Sequence, residues 1–207
     1  PEADGNASPW GIAAGSDGAM WFTETGRDGI GRVTTGGKVS EYELAASTSP
    51  FAIIAGSDGA LWFTERHHGV GRISTDGTIS DYALKNDRDP YSIALGADGA
   101  AWFTDFGRPV IGRITTQGRV GYYRLPDVDQ PSAIAAGPDG ALWLTFYGND
   151  DIGRISTTGK LTRYLRGGSE MHEDPFGITA GPDHELWITS YNQAAVVRAA
   201  PYPIKPR

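Results

Sequence analysis

The stretch Pro50-Phe51-Ala52-Ile53-Ile54-Ala55-Gly56-Ser57-Asp58-Gly59-Ala60-Leu61-Trp62-Phe63-Thr64-Glu65 decides the fold. Phe51 to Ala55 is a short apolar strand, Asp58-Gly59 supplies the positive backbone angles of a tight hairpin, and Leu61 to Glu65 returns as a second strand. Moving outward, Arg66-His67-His68-Gly69 makes a loop and Val70 to Ser74 a third strand. Thr75-Asp76-Gly77 turns the chain again, and Ile79 to Leu84 alternates as a half-exposed outer strand. The unit is a four-stranded antiparallel sheet.

The same unit occurs five times. Its marker tryptophans, Trp21, Trp62, Trp102, Trp143 and Trp187, are spaced by 41, 40, 41 and 44 residues. A period near forty built from strands is the signature of a propeller with one blade per repeat. The expected architecture is therefore all-β: one domain over 1–207 with five four-stranded blades, at about 9–49, 50–89, 90–130, 131–174 and 175–207. Residues present in every copy are assigned to the scaffold, and function is sought where the copies differ. The tryptophans are expected to fill the wedges between blades. The Gly-Arg pairs Gly31-Arg32, Gly71-Arg72, Gly112-Arg113 and Gly153-Arg154 are read as structural partners of backbone or carboxylate groups. They do not read as a nucleotide loop, because no helix follows them. The fifth copy departs at its turn, where Asp183-His184 replaces Asp-Gly.

Composition narrows the function classes. The chain has 207 residues, 39% of them hydrophobic, enough for one domain with a sizeable core. A net charge of -7 with no Lys/Arg-rich run argues against nucleic-acid and membrane partners. There is no cysteine, which excludes disulfides and thiolate chemistry. No apolar run approaches the roughly 20 residues of a membrane span, and no signal peptide is visible. The chain begins at Pro1 rather than Met, which leaves room for a removed leader.

Antiparallel geometry says which variable positions meet. The residue after each repeat proline should lie near the end of each Trp-Phe-Thr strand, on one face of the disc. That face collects Trp10, Phe51, Tyr91, Ser132 and Phe176 from strand starts, and Glu24, Glu65, Asp105, Phe146 and Ser190 from strand ends. The expectation is an aromatic mouth with carboxylates on one side, suited to a small apolar ligand with a polar or cationic handle. Trp10, Phe51, Tyr91, Phe176, Glu24 and Glu65 are the candidate ligand-binding residues. Asp89, before Pro90-Tyr91, and Asp105, at the end of the next strand, could share a hard cation, Mg²⁺ or alternatively Ca²⁺.

The repeat Pro-x-Gly/Ala-Ile-x-x-Gly-x-Asp-Gly-x-x-Trp-Phe-Thr-Glu, followed by Ile-Gly-Arg-Ile-x-Thr-x-Gly, resembles the virginiamycin B lyase (streptogramin lyase) family from about Pro9 to Arg198. The resemblance implies a seven-bladed enzyme that opens a cyclic depsipeptide antibiotic by C–O elimination. Magnesium held by glutamates polarises the substrate, and a histidine takes the proton alpha to a carbonyl. The family histidines stand just after the repeat proline in neighbouring blades. Here those positions carry Phe51 and Tyr91, with Asp89 and Asp105 matching the metal carboxylates, and none of the five copies has histidine there.

That departure has a size. A general base contributes roughly 10²–10⁴-fold, and a tyrosine with an ordinary pKa near ~10 is a poor one at neutral pH. Tyr91 is thus a weak catalytic candidate. His67, His68 and His172 lie in loops expected on the same face and could supply an imidazole, whereas His184 is on the opposite face. Three readings follow: a metal-dependent lyase, a non-catalytic propeller binding a small molecule, glycan or peptide, and a bare repeat scaffold. A monomeric five-bladed ring is expected, with self-association through exposed blade edges as its rival. Pro201 to Arg207, with three prolines, suits a closing edge strand badly.

Overall fold

The computed structural model describes residues 7–85, 88–126, 130–147, 151–165, 175–190 and 194–199. Five antiparallel sheets follow one another, each in simple meander order. The first holds β1 (Pro9–Ala14), β2 (Met20–Glu24), β3 (Gly29–Val33) and β4 (Val39–Glu43), with a 3-10 turn at Thr25–Arg27. The second holds β5 (Pro50–Ala55), β6 (Leu61–Glu65), β7 (Gly69–Ile73) and β8 (Ile79–Ala83). The third holds β9 (Pro90–Leu95), β10 (Ala101–Asp105), β11 (Val110–Ile114) and β12 (Val120–Arg124). The fourth holds β13 (Gln130–Ala136), β14 (Leu142–Tyr147), β15 (Asp151–Ile155) and β16 (Leu161–Leu165). The fifth differs from the expected four strands: its described residues form three, β17 (Pro175–Ala180), β18 (Leu186–Ser190) and β19 (Ala195–Ala199). Pro201–Arg207 lies outside the described residues. No helix among them is long and apolar enough to cross a membrane.

Each hairpin is held by a staple that explains the Asp and Arg of the repeat. In the second sheet, Trp62 Nε1 and the Ala60 N–H both donate to Asp58 Oδ1, at 3.1 and 3.3 Å, and Arg72 Nε donates to Oδ2 at 2.8 Å. The guanidinium of Arg72 also stacks over the Trp62 ring. The same arrangement joins Trp21, Asp17 and Arg32, then Trp102, Asp98 and Arg113, then Trp143, Asp139 and Arg154, and finally Trp187, Asp183 and Arg198. The Gly-Arg pairs are therefore scaffold, as expected, and Arg198 after Val197 completes the series. Burial raises each aspartate's pKa, but the hydrogen bonds from Trp, Arg and backbone outweigh it and leave all five below the usual 3.8.

Sheets pack in sequence order. Trp21 is buried against Ile53, Leu61 and Phe63 of the second sheet, Trp62 against Ile93 and Phe103 of the third. Trp102 packs on Ile134, Leu142 and Leu144 of the fourth, and Trp143 on Leu186 and Ile188 of the fifth. The first strands β1, β5, β9, β13 and β17 likewise contact one another in series. The two ends differ. Ile12 and Met20, the first-sheet counterparts of Ile53 and Leu61, are exposed, as is Trp187 at the other end.

A second repeated device joins the blades. After each repeat proline the register slips, leaving a backbone N–H without a ladder partner. Thr64 Oγ1 accepts that N–H from Ala52 at 3.0 Å and donates to the Tyr91 carbonyl of the next blade at 3.1 Å. Thr23 does the same for Gly11 and Phe51, Thr104 for Ser92 and Ser132, and Thr145 for Ala133 and Phe176. The residue following the proline is thereby anchored from the preceding blade.

Candidate functional site

Three of those anchored positions, Phe51, Tyr91 and Phe176, form the mouth together with Trp10 of the first blade. Trp10 stacks on Phe51 with centroids 4.5 Å apart, Phe51 meets Tyr91 at 4.6 Å, and Tyr91 meets Phe176 edge-on at 6.4 Å. The four expected aromatic residues are thus brought into one run. Two further rings extend it: Phe106 lies 5.2 Å from Tyr91, and Tyr147 lies 6.0 Å from Phe106. Tyr147 sits at the last position of β14, one beyond the Phe146 that repeat alignment selects, so strand alternation points its ring the other way. Exposure is 63% at Trp10 and 51% at Tyr147 but 8% at Phe51, so the run is a wall buried in its middle and wet at both ends.

Arg66 crosses this wall. Its guanidinium lies 5.5 Å from the Phe51 ring centroid and 5.4 Å from that of Tyr91. It also grips Asp89 through both carboxylate oxygens, Nε on Oδ1 and a terminal nitrogen on Oδ2 at 2.7 Å. Burial pushes the Tyr91 phenol up, the Arg66 charge pulls it down and the Asp89 charge pushes it up again, leaving it above 10. A phenol raised above its ordinary value keeps its proton at neutral pH.

Asp89 and Asp105 do come together: the Asp89 N–H donates to Asp105 Oδ1 at 3.3 Å. Each also carries its own arginine, since Arg88 donates to Asp105 Oδ2 at 3.0 Å while lying 4.3 Å over the Tyr122 ring. A magnesium ion between the two carboxylates does not fit this arrangement, because it would have to displace one guanidinium and face the other. Arg66 and Arg88 are the residues that sequence reasoning missed. Both follow or precede a site residue by one position, and nothing in the spacing shows where such long side chains turn.

The glutamates are placed differently from the expectation. Glu24 and Glu65 are buried at the ends of β2 and β6. A Cβ at Gly71 would sit 2.9 Å from Glu65 Oε1, and one at Gly29 3.2 Å from Glu24 Oε2, so both carboxylates lie over the third strand of their own blade. Glu65 is pushed up to about 8, by burial first, then by the charge of Asp81 and a side-chain hydrogen bond with it, and last by the charge of Asp28. Of the histidines, His67 points its Nδ1 at Asp89 Oδ1, 4.0 Å away, from an exposed loop. His68 turns outward instead and pairs with Asp81 at 2.9 Å. His184 occupies a left-handed turn position, φ 60°. His172 lies outside the described residues.

Serial four-stranded meanders with a run of aromatic rings at the strand starts define a β-propeller repeat protein. The chain belongs to the virginiamycin B lyase family, whose model matches residues 2–202. It is similar to a streptogramin B lyase structure at 36% identity and TM-score 0.87, covering 95% of this chain and 66% of that one. A catalytically inactive histidine-to-alanine virginiamycin B lyase from Staphylococcus aureus, solved with quinupristin, matches at 33% identity and TM-score 0.86, over 96% and 71% of the two chains. Selenomethionine-substituted virginiamycin B lyase from the same organism matches at 33% identity and TM-score 0.84, over 96% and 72%. The chain thus spans about two thirds of the length of these relatives. A comparison with curated proteins returned no match.

Proposed function

We propose that the mouth binds an apolar cyclic depsipeptide or a related small molecule and holds it without opening its ring. The observation that carries this reading is the run of six aromatic rings, with Trp10, Phe51, Tyr91 and Phe176 just after the repeat prolines, two of them where the family resemblance puts histidines. Rings offer large apolar area at low entropic cost, while the Tyr91 hydroxyl and Arg66 supply a donor and a charge for ester and amide carbonyls. A relative solved with quinupristin supports the ligand class.

Elimination remains the second reading, favoured by family membership and by His67 beside Asp89. The two are separated by one experiment: Trp fluorescence titration with quinupristin, with and without chelator, followed by chromatography of the recovered ligand. Ring opening by elimination gives an isomer of unchanged mass, whereas hydrolysis adds one water. Binding that survives chelation, is lost in Trp10→Ala and returns only cyclic ligand is the expected result. An isomer that accumulates with time and disappears in His67→Ala would establish a lyase instead.

A further inference from the structure

The four complete blades share one pair of facing positions, and the second blade fills it in its own way. Gly31, Gly71, Gly112 and Gly153 of the third strands pair with Glu41, Asp81, Tyr122 and Arg163 of the fourth. The side chain that ends the second strand lies over that glycine in the second and fourth blades, Glu65 over Gly71 and Phe146 over Gly153, whereas Glu24 lies beside Gly29. The first blade has Glu24 and Glu41, with Arg27 on Glu41 at 3.2 Å. The third has Asp105 and Tyr122, both met by Arg88. In the fourth, Arg163 lies 5.1 Å over Phe146 and binds Asp151 at 2.7 Å. An arginine serves this place in three blades. In the second, Arg66 is turned to Asp89 and the place holds Glu65, Asp81 and His68.

From this cluster we propose a divalent transition-metal site on the flank of the second blade, formed by Glu65, His68 and Asp81. One donor atom of each lies within 4.8 Å of the others. The independent observation is Glu65 itself: the residue is 1% exposed, and although its carboxyl group shares a hydrogen bond with Asp81, its Oε2 has no hydrogen-bond partner. A buried carboxylate oxygen left without a partner carries a desolvation penalty, which a bound cation removes. Asp28, whose charge also reaches Glu65, is committed to the Ser47 and Ser49 N–H groups at 2.7 Å, so it adds negative field without being a ligand. An imidazole with two carboxylates selects zinc, manganese or cobalt over magnesium, and leaves a coordination position open to water. Donors about 2.1 Å from one ion stand at most about 4.2 Å apart. The partly exposed His68 and Asp81 side chains can close that difference. The site is separate from the mouth and uses neither Asp89 nor Asp105.

The test is calorimetric titration of the whole chain with Zn²⁺, paralleled by Co²⁺ and its visible absorption. One zinc per chain is expected, with a cobalt spectrum of imidazole–carboxylate ligation. His68→Ala and Asp81→Asn, both surface changes that leave the fold intact, should each weaken binding by at least ~10-fold, while His67→Ala leaves it unchanged. Absence of stoichiometric zinc binding in the unaltered chain, or binding undiminished in His68→Ala, overturns the site.

Discussion

Trp62 and Trp187 carry the same staple and live in different surroundings. Both rings donate to a turn aspartate that also binds an arginine, at 3.1 and 3.3 Å, yet Trp62 is 1% exposed and Trp187 37%. The difference is the neighbour. Trp62 is covered by Ile93 and Phe103 of the following sheet, whereas among the described residues no sheet follows Trp187. The staple aims the indole, and the next blade buries it. The same contrast holds between Ile53, inside an interface, and Ile12, 63% exposed on the first sheet. Among the described residues, closure of five blades into a ring, expected from the repeat count, is not seen between these two faces.

This comparison can be broken by substitution. Trp62→Ala should destabilise the chain by about 3–5 kcal/mol in urea unfolding, and Trp187→Ala by less than half as much. Equal losses would show that the staple, rather than the neighbouring blade, carries the energy. Ile53→Ala should cost about 2–4 kcal/mol and Ile12→Ala no more than about 0.5. A large loss at Ile12 would mean that its face is covered in solution, by the fifth sheet or by another copy, and sedimentation would tell which. Asp58→Ala removes bonds to an indole, an amide and a guanidinium and should cost about 1.5–3 kcal/mol, with a smaller loss for Asp183→Ala.

Acid sharpens the contrast further. The five staple aspartates are held below 3.8 in the fold, so their contribution is present above that value and lost as pH falls through their lowered folded values. Thermal melts from pH 7 to pH 2 should therefore drop steeply below about 3.8, and Asp58→Asn should flatten the drop. An unchanged slope in Asp58→Asn would assign the acid sensitivity elsewhere.

The repeated antiparallel sheets, their hairpins and the meeting of the aromatic rings were legible because repetition fixes strand phase, and antiparallel strands return to the face they left. From Pro50 and Glu65 alone one can place Phe51, and by extension Tyr91 and Phe176. Two kinds of feature were not legible. Arg66 and Arg88 are long, and which carboxylate each reaches depends on the direction of a loop. The grouping of Glu65, His68 and Asp81 depends on a side chain leaning over Gly71 onto a strand sixteen residues away, which strand-end alignment misplaces into the mouth. The fourth strand of the last blade was expected from the count of repeats, and the described residues hold three.

The threonine of the Trp-Phe-Thr strand acts as a grammatical joint. Its hydroxyl closes a valence opened by a slip in its own blade and takes hold of a carbonyl in the next, leaving the side chain at that carbonyl unconstrained. A duplicated repeat thus arrives carrying its own connector. Each copy can then change its mouth residue to Trp, Phe, Tyr or Ser without renegotiating the seam, which is how a periodic scaffold comes to display an aperiodic surface.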